Sequence, residues 1–168
     1  MTLDALNVAD DASFVNALGF IFEESPWVAA RTAPQRPFPD VPALHRAMCA
    51  VVAAATPDEQ IALIRAHPDL VGRAARLGTL SPASAGEQAA AGLDRLDPEE
   101  AAMFDRLNAA YTTRFGFPFV ICVRENKKNA ILTGLRTRVL NDRPNEIGAA
   151  LDEIGKIARL RLADTVTV

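Results

Sequence analysis

The chain holds only two histidines, His45 and His67, and the second stands in an unusual place. In the stretch IRAHPDLVGR (64–73) it is followed at once by Pro68. Proline has no N–H and steers the preceding residue away from helical torsions. The helix carrying Ile61 and Ile64 is therefore expected to end near Ala66, leaving His67 extended at its terminus. A side chain restrained in this way suits a group that must be aimed, and imidazole has an ordinary pKa of about 6.5, close to neutrality. The same placement also suits a plain helix-end histidine that interacts with the last carbonyls.

Three further places could join such chemistry. Ser84, Glu87 and Gln88 in SPASAGEQ (81–88) lie three and four residues apart, so they share one helix face. That face is either solvated or, set among alanines and Gly86, open to the close approach of a small molecule. Ala83, Ala90 and Leu93 are then expected on the buried side. Arg161 follows Ile154 by seven residues and Ile157 by four, so it points with the apolar stripe of its helix while Lys156 and Arg159 point away. A guanidinium aimed inward has to be paired. Its partner is either a carboxylate of the chain or a bound anion that matches the planar fork.

RFGFPFVICV (114–123) joins the helix breakers Gly116 and Pro118 to an apolar run. If that run is buried outside a sheet, its N–H and C=O groups need partners, and a small-molecule ligand could supply them. His45, beside Val41, Met48 and Cys49, is expected to be a packed boundary residue. Cys49 and Cys122 make neither a disulfide framework nor a zinc spacing and are expected to be buried free thiols.

The elements that must position these residues are helices. Thr56-Pro57 with Glu59, Ser81-Pro82, and Asp97-Pro98 with Glu100 are N-terminal signals, combining a cap, a proline at the first helical position and, in two of them, a capping-box acid. Apolar residues recur near every 3.6 positions in three stripes: Val41, Leu44, Met48, Val51, Val52 and Ala55; Met103, Leu107, Ala110 and Tyr111; Ile147, Leu151, Ile154 and Ala158. Further helices are expected over 11–22, 25–33, 127–140 and 144–164. Only FVICV (119–123) has strand composition, and a lone strand has no partner. The expected architecture is all-α, a compact single-domain bundle over 1–168 with one short extended segment near 117–123.

A net charge of −3 without a basic face or tail argues against nucleic acid and anionic membrane as partners. The longest apolar runs, such as AVVAAA (50–55), are too short to span a bilayer. The acidic N-terminal stretch and the C-terminal LADTVTV carry no targeting signal, and the expected location is cytoplasmic. GxGxxG, P-loop, HExxH and GxSxG patterns do not occur, so the enzyme classes built on them lose their sequence warrant.

Taken in order, AHPDLVGR (66–73), SAGEQAAAGLDRL (84–96), LNAAYTTRFGFPFVICV (107–123) and RLRLADTV (159–166), with FEESPW (22–27), resemble the OHCU decarboxylases. OHCU is 2-oxo-4-hydroxy-4-carboxy-5-ureidoimidazoline. The likeness covers about 3–166, and it departs at position 71, where Val stands in place of an expected small residue. The resemblance implies a decarboxylase that forms (S)-allantoin at the end of urate breakdown, all-α and homodimeric, with neither metal nor organic cofactor. It implies that His67 is the proton donor, with Glu87 its acid/base partner or orienter. It places Pro68, Ser84, Ala85, Gly86, Glu87, Gln88, the stretch Phe119, Val120, Ile121, Cys122 and Val123, and Arg161 at the substrate. Two other readings fit the same residues: a cofactor-free isomerase or hydrolase of another small cyclic ureide, and a helical adaptor that presents a groove to a partner helix.

Overall fold

Helices begin where the sequence offers an acceptor to the N–H groups that a first turn leaves unpaired. In the computed structural model, which describes residues 1–71, 80–93 and 95–167, Thr2 accepts from the Ala5 N–H, Asp10 from Ser13, Asp40 from Ala43 and Ser81 from Ser84. Asp97 and Glu100 form a complete capping box, and Thr56 and Glu59 exchange the same pair of bonds. The Glu59 carboxylate also receives Arg31, which with the Thr56 N–H holds its pKa down to about 2.

Nine α-helices follow among the described residues: α1 (Leu3–Val8), α2 (Asp11–Leu18), α3 (Pro26–Thr32), α4 (Val41–Ala53), α5 (Pro57–Ala66), α6 (Pro82–Ala90), α7 (Pro98–Phe115), α8 (Lys128–Arg138) and α9 (Arg143–Thr165). Short 3₁₀ turns occupy Ala33–Gln35 and Val123–Glu125. No strand occurs among the described residues, where the only β pairing is an isolated bridge between Thr2 and Thr167. The fold is all-α. Gly72 and Arg73 of the histidine motif and Asp94 of the second motif lie outside the described residues. No single described helix is long and apolar enough to cross a membrane.

The chain forms two units, Met1–Ala66 with Gly155–Val168, and His67–Ile154. In the first, α3 packs against α2 and α4. Phe14, Leu18, Leu44 and Met48 are fully buried. The Leu3 N–H donates to the Thr167 carbonyl at 3.0 Å, and the Thr167 N–H to that of Met1 at 2.9 Å. His45 is half-buried, its Nε2 2.8 Å from the Gly155 carbonyl and 3.3 Å from Cys49 Sγ. Cys49 is half-buried rather than buried as expected, while Cys122 is buried.

The second unit is built on aromatic rings. Tyr111 lies 4.7 Å from Phe115 and 5.3 Å edge-on from Phe119, and Phe115 stacks on Phe117 at 5.9 Å. These rings set the rotation of α7. Its buried stripe is Phe104, Asn108, Tyr111 and Phe115, and of the expected set only Tyr111 is buried; Met103 and Leu107 are half-exposed and Ala110 exposed. Three aromatic side chains bury far more surface than Met, Leu and Ala can, so they take the inward face.

Candidate active site

Helix α5 ends at Ala66, where Pro68 requires it to. His67 follows and is buried, only 7 % exposed. Two side-chain amides hold the loop it heads. Asn108 of α7 donates from Nδ2 to the Leu70 carbonyl at 2.8 Å, and the Val71 N–H donates to Gln88 Oε1 of α6 at 3.1 Å. Val71 has φ 56°, a left-handed conformation that strains a β-branched residue. This is the position where the sequence departs from its expected small residue. Asp69, just before Leu70, has a buried Oδ1 without a hydrogen bond. Burial first, and the charge of Asp105 second, raise its pKa above the ordinary aspartate value.

Helix α6 turns its polar face inward. Ser84 and Gln88 are each 6 % exposed, Glu87 is half-buried, and Ala85 and Gly86 are exposed. The alanine side was expected to be buried. Instead Ala90 is exposed and Ala83 is half-buried, and of that set only Leu93, beyond the helix, is buried. Burying Gln88 is tolerable because its oxygen has a donor in the Val71 N–H. Helix α6 packs in turn against the 3₁₀ turn Val123–Glu125.

Gly116, at φ 78°, closes α7 and releases the chain into the extended run. Phe119, Val120, Ile121, Cys122 and Val123 are all buried. Their backbone was expected to need partners, and the protein supplies several. Arg138 Nη1 donates to the Val120 carbonyl at 2.8 Å, the Cys122 N–H to Glu153 Oε2 at 2.8 Å, and Asn126 Nδ2 to the Cys122 carbonyl at 2.9 Å. Neither the N–H nor the C=O of Ile121 makes a hydrogen bond to a described residue. Burial raises the Cys122 thiol pKa.

Arg161 belongs to the first unit. It is buried as its helical angle predicted, and a carboxylate of the chain pairs with it: Nη2 is 3.0 Å from Glu23 Oε2, both side chains at most 6 % exposed. Nη1 reaches the carbonyls of Phe20 and Ile21 at 3.4 Å. Three of the four predicted segments, 67–71, 84–88 and 119–123, thus lie in the second unit. Sequence reasoning passed over Asn108, Arg138, Glu153 and Glu23. Asn108 carried a usable signal: it falls four residues after Phe104 and three before Tyr111, so a polar amide stands on an aromatic stripe. No group of three or more His, Cys, Asp or Glu able to hold a metal ion occurs among the described residues.

The model of the OHCU decarboxylase family matches residues 7–163. A Haloferax volcanii protein, 2-oxo-4-hydroxy-4-carboxy-5-ureidoimidazoline decarboxylase, is 44% identical over 164 residues, covering 98% of this chain and 95% of that protein. The uric acid degradation bifunctional protein PucL of Bacillus subtilis is 43% identical over 169 residues, 99% of this chain and 33% of its own length. Among solved structures, an (S)-allantoin synthase superposes with a TM-score of 0.78 at 29% identity over 99% of this chain, which spans 54% of that one. With its histidine loop, polar helix face and extended run carried on a matching fold, the chain belongs to the OHCU decarboxylase family.

Proposed function

We propose that this protein decarboxylates OHCU to (S)-allantoin in urate breakdown, and that His67 delivers the proton. The observation that carries the site assignment is the tie between the His67 loop and α6, where the Val71 N–H meets Gln88. It joins the two most chemically loaded motifs of the sequence in one unit. The relatives' names support the reaction, and the family match, running across both units, supports reading 1–168 as one functional domain.

When CO₂ leaves, the bond from the ring carbon to the carboxylate breaks, and its electron pair passes into the conjugated imidazoline ring. The substrate thus carries the sink that many decarboxylases take from a cofactor, and we propose a cofactor-independent reaction on that ground. What remains for the protein is positioning and controlled protonation. Gln88 already spends Oε1 on the loop, so its Nε2 is the end that donates to a substrate carbonyl. The N–H and C=O of Ile121 offer one donor and one acceptor to the ring or ureido group. Pro68, Ser84–Gln88 and the rest of 119–123 line the same substrate, and Glu87 orients the imidazole. A proton given from one side of a planar intermediate makes one enantiomer, whereas decay in water makes both.

Arg161 is assigned to substrate binding on the resemblance. Arg161→Lys loses the bidentate fork and is expected to raise KM by roughly 10- to 100-fold, one charge-assisted hydrogen bond. Unchanged KM and kcat would make Arg161 a structural residue, held by Glu23 and the Phe20 and Ile21 carbonyls. A cytoplasmic homodimer belongs to the same proposal and rests on the resemblance.

The reaction is tested by circular dichroism on freshly generated OHCU, with and without the protein, while released CO₂ is measured. Catalysis gives a dichroic signal of one sign that grows faster than spontaneous decay. Equal rates in the two samples would refute the activity.

A further inference from the structure

We propose that Asn108, working with Gln88, is a positioning residue that grips the Leu70–Val71 peptide and so keeps His67 aimed. The proposal rests on His67 being the proton donor.

The Leu70 carbonyl and the Val71 N–H belong to one peptide group, which is a rigid plane. Asn108 from α7 donates to its oxygen, and Gln88 from α6 accepts from its N–H. A plane held at both ends by separate helices cannot rotate. Rotation is what the local backbone favours, because Val71 is held at φ 56°. Flipping this peptide by about half a turn would carry Val71 back to the negative φ that a β-branched residue prefers. It would also set the N–H against the Asn108 amide donor and the carbonyl against Gln88 Oε1. Both contacts would then be repulsive, so the two amides decide the orientation against the strain.

The orientation of the Asn108 amide is itself fixed. Turned over, its oxygen would face the Leu70 carbonyl, acceptor against acceptor. As placed, Oδ1 is buried with no hydrogen bond, a cost that a residue serving only as core filling would not carry. The grip is also close to the imidazole. Pro68 has a fixed φ, so only Asp69 and Leu70 have both torsions free between His67 and the held plane. Releasing the plane therefore lets Asp69 and Leu70 settle into other torsions, and the histidine loses its aim.

The test replaces Asn108 and asks whether relieving the strain restores what is lost. Asn108→Ala is expected to lower kcat by roughly 100-fold, as a small misplacement of a reacting group does, with little change in KM. In a Val71→Gly background, where positive φ carries no strain, the loss shrinks to under about tenfold through coupling between the sites. His45→Gln leaves His67 as the only histidine, so its ring resonances can be followed by NMR. They should be single and sharp with Asn108 present, and doubled or broadened without it. Should Asn108→Ala fail to fold, Asn108→Ser, whose hydroxyl is too short to reach Leu70, serves in the same comparison. Equal losses in the parent and Val71→Gly backgrounds, with the ring signals unmoved, would overturn the proposal. If the unsubstituted protein shows no decarboxylation yet the ring signals respond as expected, the reaction is wrong and the grip stands.

Discussion

A His67→Asn variant is expected to fold normally and to lose about 10²- to 10⁴-fold in kcat, the usual contribution of a positioned acid or base. Asparagine is smaller but keeps a polar amide at a site only 7 % exposed, so no apolar group is set against the polar neighbours of the imidazole. What disappears is the imidazole and the proton it carries. The product should change along with the rate. With the enzyme-directed proton gone, material that still decarboxylates is quenched by water, and the dichroic signal falls further than CO₂ release does. His45→Gln is the control, since His45 is half-buried and engaged with Gly155 and Cys49 in the other unit. Glu87→Gln should reduce kcat and alter the pH–rate profile while leaving the melting temperature near that of the unsubstituted protein. Full turnover in a folded His67→Asn protein would remove the histidine from the mechanism, and an unaltered pH profile in Glu87→Gln would remove the glutamate.

The parts of this molecule that were legible in sequence are those decided within a few residues. Pro68 stops α5 at Ala66, Thr56 and Asp97 start helices, and Gly116 with Pro118 turns α7 into the extended run. Helix α1 was not foreseen. It is six residues long, too short to be stable alone, and its first N–H is held by Thr167 from the far end of the chain. The faces of α6 and α7 were also misjudged, for one shared reason. Counting apolar residues puts alanines and Leu107 inward, whereas the folded chain buries Ser84, Gln88 and Asn108. Gln88 and Asn108 are buried because each meets a backbone group of the histidine loop, and no count of hydrophobicity contains that loop. A polar residue on an aromatic stripe is the better sign of a working residue. Arg161 shows the same limit from the other side. Its inward direction followed from helix angles, but its partner Glu23 lies far away in sequence and could not be named.

Glu146→Gln is expected to be strongly destabilising. Glu146 has no exposed surface. It accepts from the Tyr111 hydroxyl, from Arg138 Nε at 2.8 Å and from Asn141 Nδ2 at 2.9 Å, with Arg138 Nη2 a further 2.6 Å ion-pair contact. This Nη2 atom is close in charge but not aligned as a hydrogen bond. Removing the negative charge leaves the largely buried Arg138 guanidinium uncompensated, a loss of about 3–5 kcal/mol. For a chain of this size that lowers Tm by roughly 6–20 °C. The consequence reaches the substrate segment, because the same guanidinium donates to the Val120 carbonyl and lies 4.6 Å over the Phe119 ring. A double variant, Glu146→Gln with Arg138→Met, separates charge from positioning, since the glutamine amide still accepts from the Tyr111 hydroxyl. It removes both ions, so most of the stability should return. The Val120 carbonyl, however, loses its donor, and about 1–3 kcal/mol stays missing. Thermal melts should therefore rank the unsubstituted protein above the double variant and the double above the single. The double should also bind substrate more weakly, with a raised KM. A single variant as stable as the parent would mean the pair is energetically idle, and a double variant with the parent's KM would mean that Glu153 and Asn126 suffice to hold the 119–123 backbone.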